Sequence, residues 1–277
     1  MNYEQIRYEV SDPVAIITLN RPDALNAITP RMEKEFRHAL ASAEADEGVV
    51  GIVVTGEGRG FCAGFDIGSM DPQGTGERAN EEDLSFLDAS PGNKTMGDNF
   101  KVTQSYLLSI SKPLIAAVNG PCAGLGFVWA TLCDMRFVER QAKLSTSFVN
   151  LGLIAEHGSS WILPRLLGPS KAMDILWSGR KFDGEEAERL GFADRLCEEG
   201  GSLGQAAAYI EMLAKTAAPQ AIKTIKAQVY RHLNMELGES MIESNKLMEA
   251  SLTSDDVKEG VSSFAERRTP NFKRVAD

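Results

Sequence analysis

The order of apolar and polar positions divides the chain into short strands, buried strands and helices. Tyr3 to Val10 and Val14 to Leu19 are runs of strand-forming residues broken by Ser11-Asp12-Pro13, a pattern that predicts a β-hairpin. Thr29-Pro30 predicts a helix start, because Thr caps well and Pro suits the first helical position. Met32, Phe36, Leu40 and Ala43 give that helix an apolar face, and Gly48 marks its end. The runs VVGIVVT (49–55) and LIAAV (114–118) are almost wholly apolar, as expected of strands covered on both faces. Phe127 to Leu132 reads as a buried helix, so strands and helices alternate and the fold class expected is α/β. From residue 204 the pattern is wholly helical, with Pro219 opening one helix and Ile222, Ile225 and Val229 sharing a face. Two regions are therefore expected, a core over 1–203 and a helical region over 204–277. Between Gly68 and Asn99 the periodicity fails, and a structureless connection is expected there: a lid, a mobile insertion or a solvated loop.

Charge and composition narrow the classes of function. Lys plus Arg number 29 against 39 Asp plus Glu, a formal net charge of −10, with 43% hydrophobic and 25% charged residues. This is the composition of a globular protein, and it offers no basic stripe to neutralise the phosphates of nucleic acid or an anionic membrane. Neither is expected as a partner. No apolar stretch approaches the roughly 20 residues needed to cross a bilayer, and MNYEQIRYEV lacks the basic start and apolar run of a secretory signal. A soluble, cytoplasmic protein is expected. Cys62, Cys122, Cys133 and Cys197 are widely spaced, without CxxC pairs, and read as reduced, buried thiols. His38, His157 and His232 have no second ligand at metal-binding spacing, so no metal is expected.

Two glycine-rich turns follow the two apolar strands. Gly56-Glu57-Gly58-Arg59-Gly60-Phe61-Cys62-Ala63-Gly64-Phe65-Asp66 lacks the GxGxxG spacing and following helix of a dinucleotide loop. Its glycines allow close backbone approach to a ligand. Asn119-Gly120-Pro121-Cys122-Ala123-Gly124-Leu125-Gly126 precedes the buried helix, whose first turn presents unpaired N–H groups reinforced by the helix dipole. Together the turns suggest a two-donor oxyanion hole. Tight turns with close packing are the plainer explanation of each alone.

The residues NRPDALNA (20–27), GFCAGFD (60–66), KPLIAAVNG (112–120), CD (133–134), FVNLGLI (148–154) and SSFAERRTPNFK (262–273) resemble, in order and spacing, the crotonase (enoyl-CoA hydratase/isomerase) superfamily. The resemblance covers nearly the whole chain and is nearest to the single-carboxylate enoyl-CoA isomerases. It implies a spiral of β-β-α turns with a C-terminal helical region that builds a homotrimer or a dimer of trimers, and acyl-CoA thioester chemistry of the kind met in fatty acid metabolism. No cofactor is implied, since CoA is part of the substrate. The N–H groups of Ala63 and Leu125 match the family's oxyanion donors. Ala24, Leu25 and Ala27 match the segment that follows pantetheine and adenine, with Asp66 and Ile67 in the same cleft. Arg21, Arg59 and Lys273 stand where cations suit the CoA phosphates, Lys273 in its own subunit or a neighbouring one.

The family's hydratases use two glutamates, and at those positions this chain has Val128 and Phe148. Glu156 aligns instead with the single acid of the isomerases, which moves a proton from the α to the γ carbon across a dienolate. The resemblance therefore implies conversion of a 3-enoyl-CoA to a 2-enoyl-CoA, with Glu156, Ala63 and Leu125 as the catalytic set. Glu156 also has a plainer explanation, an acid favouring the start of the next helix. Hydration with Glu156 alone, or carbon–carbon or thioester hydrolysis using Glu156 with His157, is an alternative. So is a catalytically silent acyl-CoA-binding protein. Asp66 reads as a turn acid, Asp134 as an anchor for neighbouring backbone, and Cys62 as a packing residue.

Overall fold

The computed structural model describes residues 2–66, 68 and 83–275. The expected hairpin forms from β1 (Ile6–Ser11) and β2 (Val14–Leu19), paired antiparallel. Thr29 caps α1 (Pro30–Ala45) by accepting the Met32 N–H at 3.1 Å. The two apolar runs become β3 (Gly51–Gly56) and β4 (Leu114–Val118), every residue of which is buried.

With β6 (Met135–Glu139) and β9 (Arg195–Cys197) these strands make a six-stranded sheet of order β1-β2-β3-β4-β6-β9, parallel from β2 onward. A second sheet joins β5 (Cys122–Ala123), β7 (Lys143–Ser145) and β8 (Phe182–Asp183). Strand β4 is followed by β5 and then α2 (Gly124–Leu132). Likewise β6 is followed by β7 and then α3 (Ser159–Leu167) and α4 (Pro169–Ser178). After β8 come α5 (Gly184–Leu190) and β9. The turns that begin at β4 and β6 thus each add a strand to the large sheet, one to the small sheet and then helix, the β-β-α repeat expected, whereas the last runs β8, α5, β9.

Alternation along the parallel strands sends side chains to two different layers. Ile52, Val54, Ala116 and Val118 pack with Phe36, Leu40 and Trp129, whereas Val53, Ile115 and Phe137 pack with Ala206 and Ile210 of α6 (Ser202–Thr216). Helix α6 therefore closes the second face of the sheet, and the expected division at 203/204 runs through it. The reason is its apolar stripe, which covers strands that are apolar on both sides.

The remaining helices, α7 (Pro219–His232), α8 (Leu237–Leu252) and α9 (Asp255–Glu266), bury only Ser263. Asp134 ties α7 to the core: its carboxylate accepts the Leu114 N–H at 2.7 Å, Lys226 Nζ at 2.6 Å and the Tyr230 hydroxyl at 2.9 Å. The expectation of a structureless 68–99 segment is corrected for residues 83–99. Short 3-10 turns at Ser85–Leu87, Lys94–Met96 and Asp98–Phe100 bury Leu87, Met96 and Phe100, and this three-residue period escapes a search for 3.6 or 2. The rest of that expectation, over 69–82, lies outside the described residues.

Candidate active site

Both glycine-rich turns leave the C-terminal ends of parallel strands β3 and β4, where open α/β sheets place their ligands. Two asparagines hold the first turn from either side. Asn119 donates to the Gly56 and Gly58 carbonyls at 2.9 and 3.0 Å. Asn26, fully buried with φ +57°, donates to those of Glu57 and Gly60 at 3.0 and 2.8 Å and accepts the Arg21 N–H at 2.9 Å. Four loop carbonyls are thereby tied down by side-chain amides. The sequence reading missed Asn26 in this role, although an Asn beside the NRPDALNA turn is a residue type that tolerates positive φ and bonds nearby backbone.

Beyond the turn the chain runs extended between two neighbours, and its hydrogen bonds alternate sides. Cys62 faces one way, its N–H to Pro121 O at 3.0 Å and its carbonyl to the Ala123 N–H at 2.9 Å. Ala63 faces the other way, its N–H to Leu25 O at 2.9 Å. The Gly64 carbonyl and Asp66 N–H then bond Ile28, both at 2.8 Å. The expectation for Ala63 is therefore corrected, because its N–H already has an acceptor. The Phe65 N–H has none among the described residues, and alternation turns it to the side of residues 121–125.

On that side, the Leu125 N–H lies in the first turn of α2, where no intrahelical acceptor exists and no side chain caps the helix. The two loops touch: a Cβ built on Gly64, whose φ is +107°, would stand 3.0 Å from Ala123 O and 3.4 Å from Leu125 N. Gly126 packs its α carbon against Cys62, since an added Cβ would fall 2.6 Å from Sγ. The Cys62 thiol is pushed up to about 12 by burial, which keeps it protonated and unreactive. Two unsatisfied N–H groups on adjoining loops can hold a carbonyl oxygen that gains negative charge.

Glu156 sits between Gly152 and α3, half-buried, and its backbone carbonyl accepts the Ser159 N–H and hydroxyl at 2.9 and 2.6 Å. No cation or hydrogen-bond donor holds its carboxylate among the described residues. Val128 and Phe148 are 1% and 5% exposed, so neither position offers a proton carrier. His157, at φ +50°, turns into a cavity that Glu156 does not line, and no hydrogen bond joins the two side chains.

Ala24, Leu25 and Ala27 form a turn that packs along the 60–66 strand. Arg21 is drawn inward rather than left for phosphate: it donates to Ala27 O at 2.6 Å and pairs with Asp66 at 2.9 Å. Asp66 also accepts the Gly68 N–H, the behaviour of a turn acid. Arg59 is exposed at the tip of the glycine-rich turn. Ile67 lies outside the described residues. Lys273 does not join its own chain's site, because neighbouring Arg274 bonds Asp12 and the Gly48 carbonyl near the N-terminal end of β3. That is the opposite end of the sheet from the glycine-rich turns. Among the described residues no group of three or more His, Cys, Asp or Glu is placed to hold a metal ion, and no helix is long and apolar enough to cross a membrane.

Comparison with known proteins extends over nearly the whole chain. A family model described as enoyl-CoA hydratase/isomerase matches residues 9–275. A probable enoyl-CoA hydratase of Mycobacterium bovis is 33% identical over 272 residues, 98% of this chain and 99% of that one. A peroxisomal Delta(3,5)-Delta(2,4)-dienoyl-CoA isomerase of Arabidopsis thaliana is 29% identical over 275 residues, 98% of this chain and 97% of that one. The crystal structure of an enoyl-CoA hydratase/isomerase from Mycobacterium paratuberculosis superimposes with a TM-score of 0.82 at 31% identity, covering 98% of this chain and 99% of the other.

Proposed function

The chain belongs to the enoyl-CoA hydratase/isomerase family, and within it we propose that the protein shifts the double bond of a 3-enoyl-CoA to the 2 position. The thioester oxygen accepts the Phe65 and Leu125 N–H groups. Glu156 removes an α proton, the electron pair spreads over a dienolate, and the protonated acid returns the proton to the γ carbon. No atom is gained or lost.

The observation that carries this reading is the pairing of one unpartnered carboxylate, Glu156, with buried apolar side chains at Val128 and Phe148. Isomerisation needs one acid/base, whereas paired-carboxylate hydration needs two. Hydration is the second reading, favoured by the name of the Mycobacterium bovis relative. Incubation of the protein and of Glu156→Gln with trans-3-hexenoyl-CoA and trans-2-hexenoyl-CoA separates them. Conjugation without gain of water, lost by at least about a thousandfold in the variant, is expected from the contribution of a positioned acid/base. A mass gain of one water would establish hydration, and conjugation surviving in Glu156→Gln would remove Glu156 from the mechanism.

We also propose assembly as a homotrimer or dimer of trimers. Its support is the apolar surface of α7–α9, where Ile225, Met248, Val261 and Phe264 are all more than half exposed. In such an assembly Lys273 would serve the CoA phosphates of a neighbouring subunit rather than its own.

A further inference from the structure

A cavity of about 390 Å³ lies between the end of α2, the start of α3, the end of α7 and residues 99–108. Phe100, Leu108 and Leu132 give it buried apolar walls, and Asn234 stands exposed at its edge. Two more lining residues, His157 and Trp161, are half-buried rings with polar tips. No hydrogen-bond partner for either ring's N–H lies among the described residues. The contrast is Trp129, whose buried indole donates to Gln104 at 3.1 Å.

The cavity lies one length of α2 from the oxyanion loops. Leu125, which offers its N–H, opens α2, and Leu132, which walls the cavity, closes it. Seven residues of helix span about 10 Å, the reach of an extended acyl chain of roughly eight to ten carbons. His157 also follows Glu156 directly in the chain, so the residue that enters the cavity is one peptide away from the candidate base, although Glu156 itself does not line it.

We infer that this cavity receives the far end of the acyl group, and that His157 and Trp161 select an acyl-CoA whose distal end carries an oxygen function such as a hydroxyl. This inference rests on the acyl-CoA reading of the site. A plain alkyl end would cover two ring N–H groups and leave them without partners, which opposes binding. A distal oxygen accepts from them while the chain behind it packs on Phe100, Leu108 and Leu132.

The test is calorimetric titration of acetyl-CoA, decanoyl-CoA and 10-hydroxydecanoyl-CoA into the protein and into Trp161→Phe and His157→Ala. The hydroxylated ligand is expected to bind about tenfold tighter than decanoyl-CoA, the scale of one satisfied hydrogen bond. That ratio should fall towards one in both variants, while acetyl-CoA, too short for the cavity, binds all three proteins alike and reports that they are folded. Equal affinity for the two ten-carbon ligands, or a preference that survives both substitutions, would overturn the inference and leave the acyl-CoA reading intact. Failure of all three ligands to bind the unaltered protein would overturn both.

Discussion

The backbone N–H of Ala63 ends on the carbonyl of Leu25 at 2.9 Å, and this one bond decides which N–H groups remain for chemistry. It anchors the 60–66 strand to the NRPDALNA turn and, through the strand's alternation, turns the Phe65 N–H towards Leu125. The loop's useful donors are thus set by pairing on its opposite edge.

Gly64 is the hinge of that arrangement. Its φ of +107° is one that an alanine adopts only under strain, and an added methyl would press on Ala123 O at 3.0 Å. Gly64→Ala should cost about 1–3 kcal/mol of stability from strain alone. Because the methyl would press on the 123–125 segment that carries the Leu125 donor, and Gly64 itself precedes the Phe65 donor, kcat on an enoyl-CoA should fall about a hundredfold or more, as on loss of one oxyanion contact. Urea unfolding and steady-state kinetics read the two effects separately. A folded Gly64→Ala with unchanged kcat would show that these loops do not hold the thioester oxygen.

Asn26 tests the clamp behind the same loop. Substitution removes two donated bonds and one accepted bond in a buried place, so Asn26→Gly should cost about 2–4 kcal/mol. Asn26→Ala adds the penalty of a left-handed backbone, about 1–2 kcal/mol, and should be the less stable of the two. Equal stabilities by urea unfolding would mean that the turn relaxes out of its left-handed form once the amide is gone.

Much of this architecture was legible from patterns of apolar residues. VVGIVVT and LIAAV are buried on both faces, and Thr29-Pro30 opens α1, because these features depend on local chemistry. The donor assignment was not legible by similarity alone, since Ala63 and Phe65 differ only in which edge of one extended strand they face. That depends on pairing with Leu25 and Ile28, some forty residues earlier. The role of α6 was hidden for a related reason: its apolar stripe looks like those of α7 and α9, and only the sheet shows which stripe is covered. Glu156 stood out because Val128 and Phe148 removed its competitors, yet nothing in the sequence marks its carboxylate as unpaired.

The exposed apolar face of α7 and α9 should govern assembly. Ile225→Glu with Val261→Glu places two charges on a surface that is 57% and 66% exposed in the single chain, so the fold should tolerate them. Sedimentation is expected to find the unaltered protein at three or six times the mass of one chain and the double variant at the mass of one. A monomeric unaltered protein would remove the trimer from the proposal.

Lys112 supplies a pH dependence whose sign can be worked out. It is 6% exposed, and its ammonium donates to the Ala43 and Asp46 carbonyls at 2.8 and 2.5 Å, closing the C-terminal end of α1. Burial disfavours the charged form and lowers its pKa from the ordinary 10.5 to about 8, against the opposing pull of Asp46 and Glu44. Between those values the unfolded chain holds a proton that the folded chain has released. Stability therefore rises with pH across this window, and the burial penalty is fully present below pH 8. Other titrating groups cancel when the protein is compared with Lys112→Met. From pH 7.5 to 9.5 the unaltered protein should gain about 1–2 kcal/mol on that variant in urea unfolding. The neutral amine still donates to both carbonyls, so the cap on α1 survives the titration. A difference that stays flat or shrinks would mean that the folded chain keeps this proton throughout, with Asp46 and Glu44 outweighing burial.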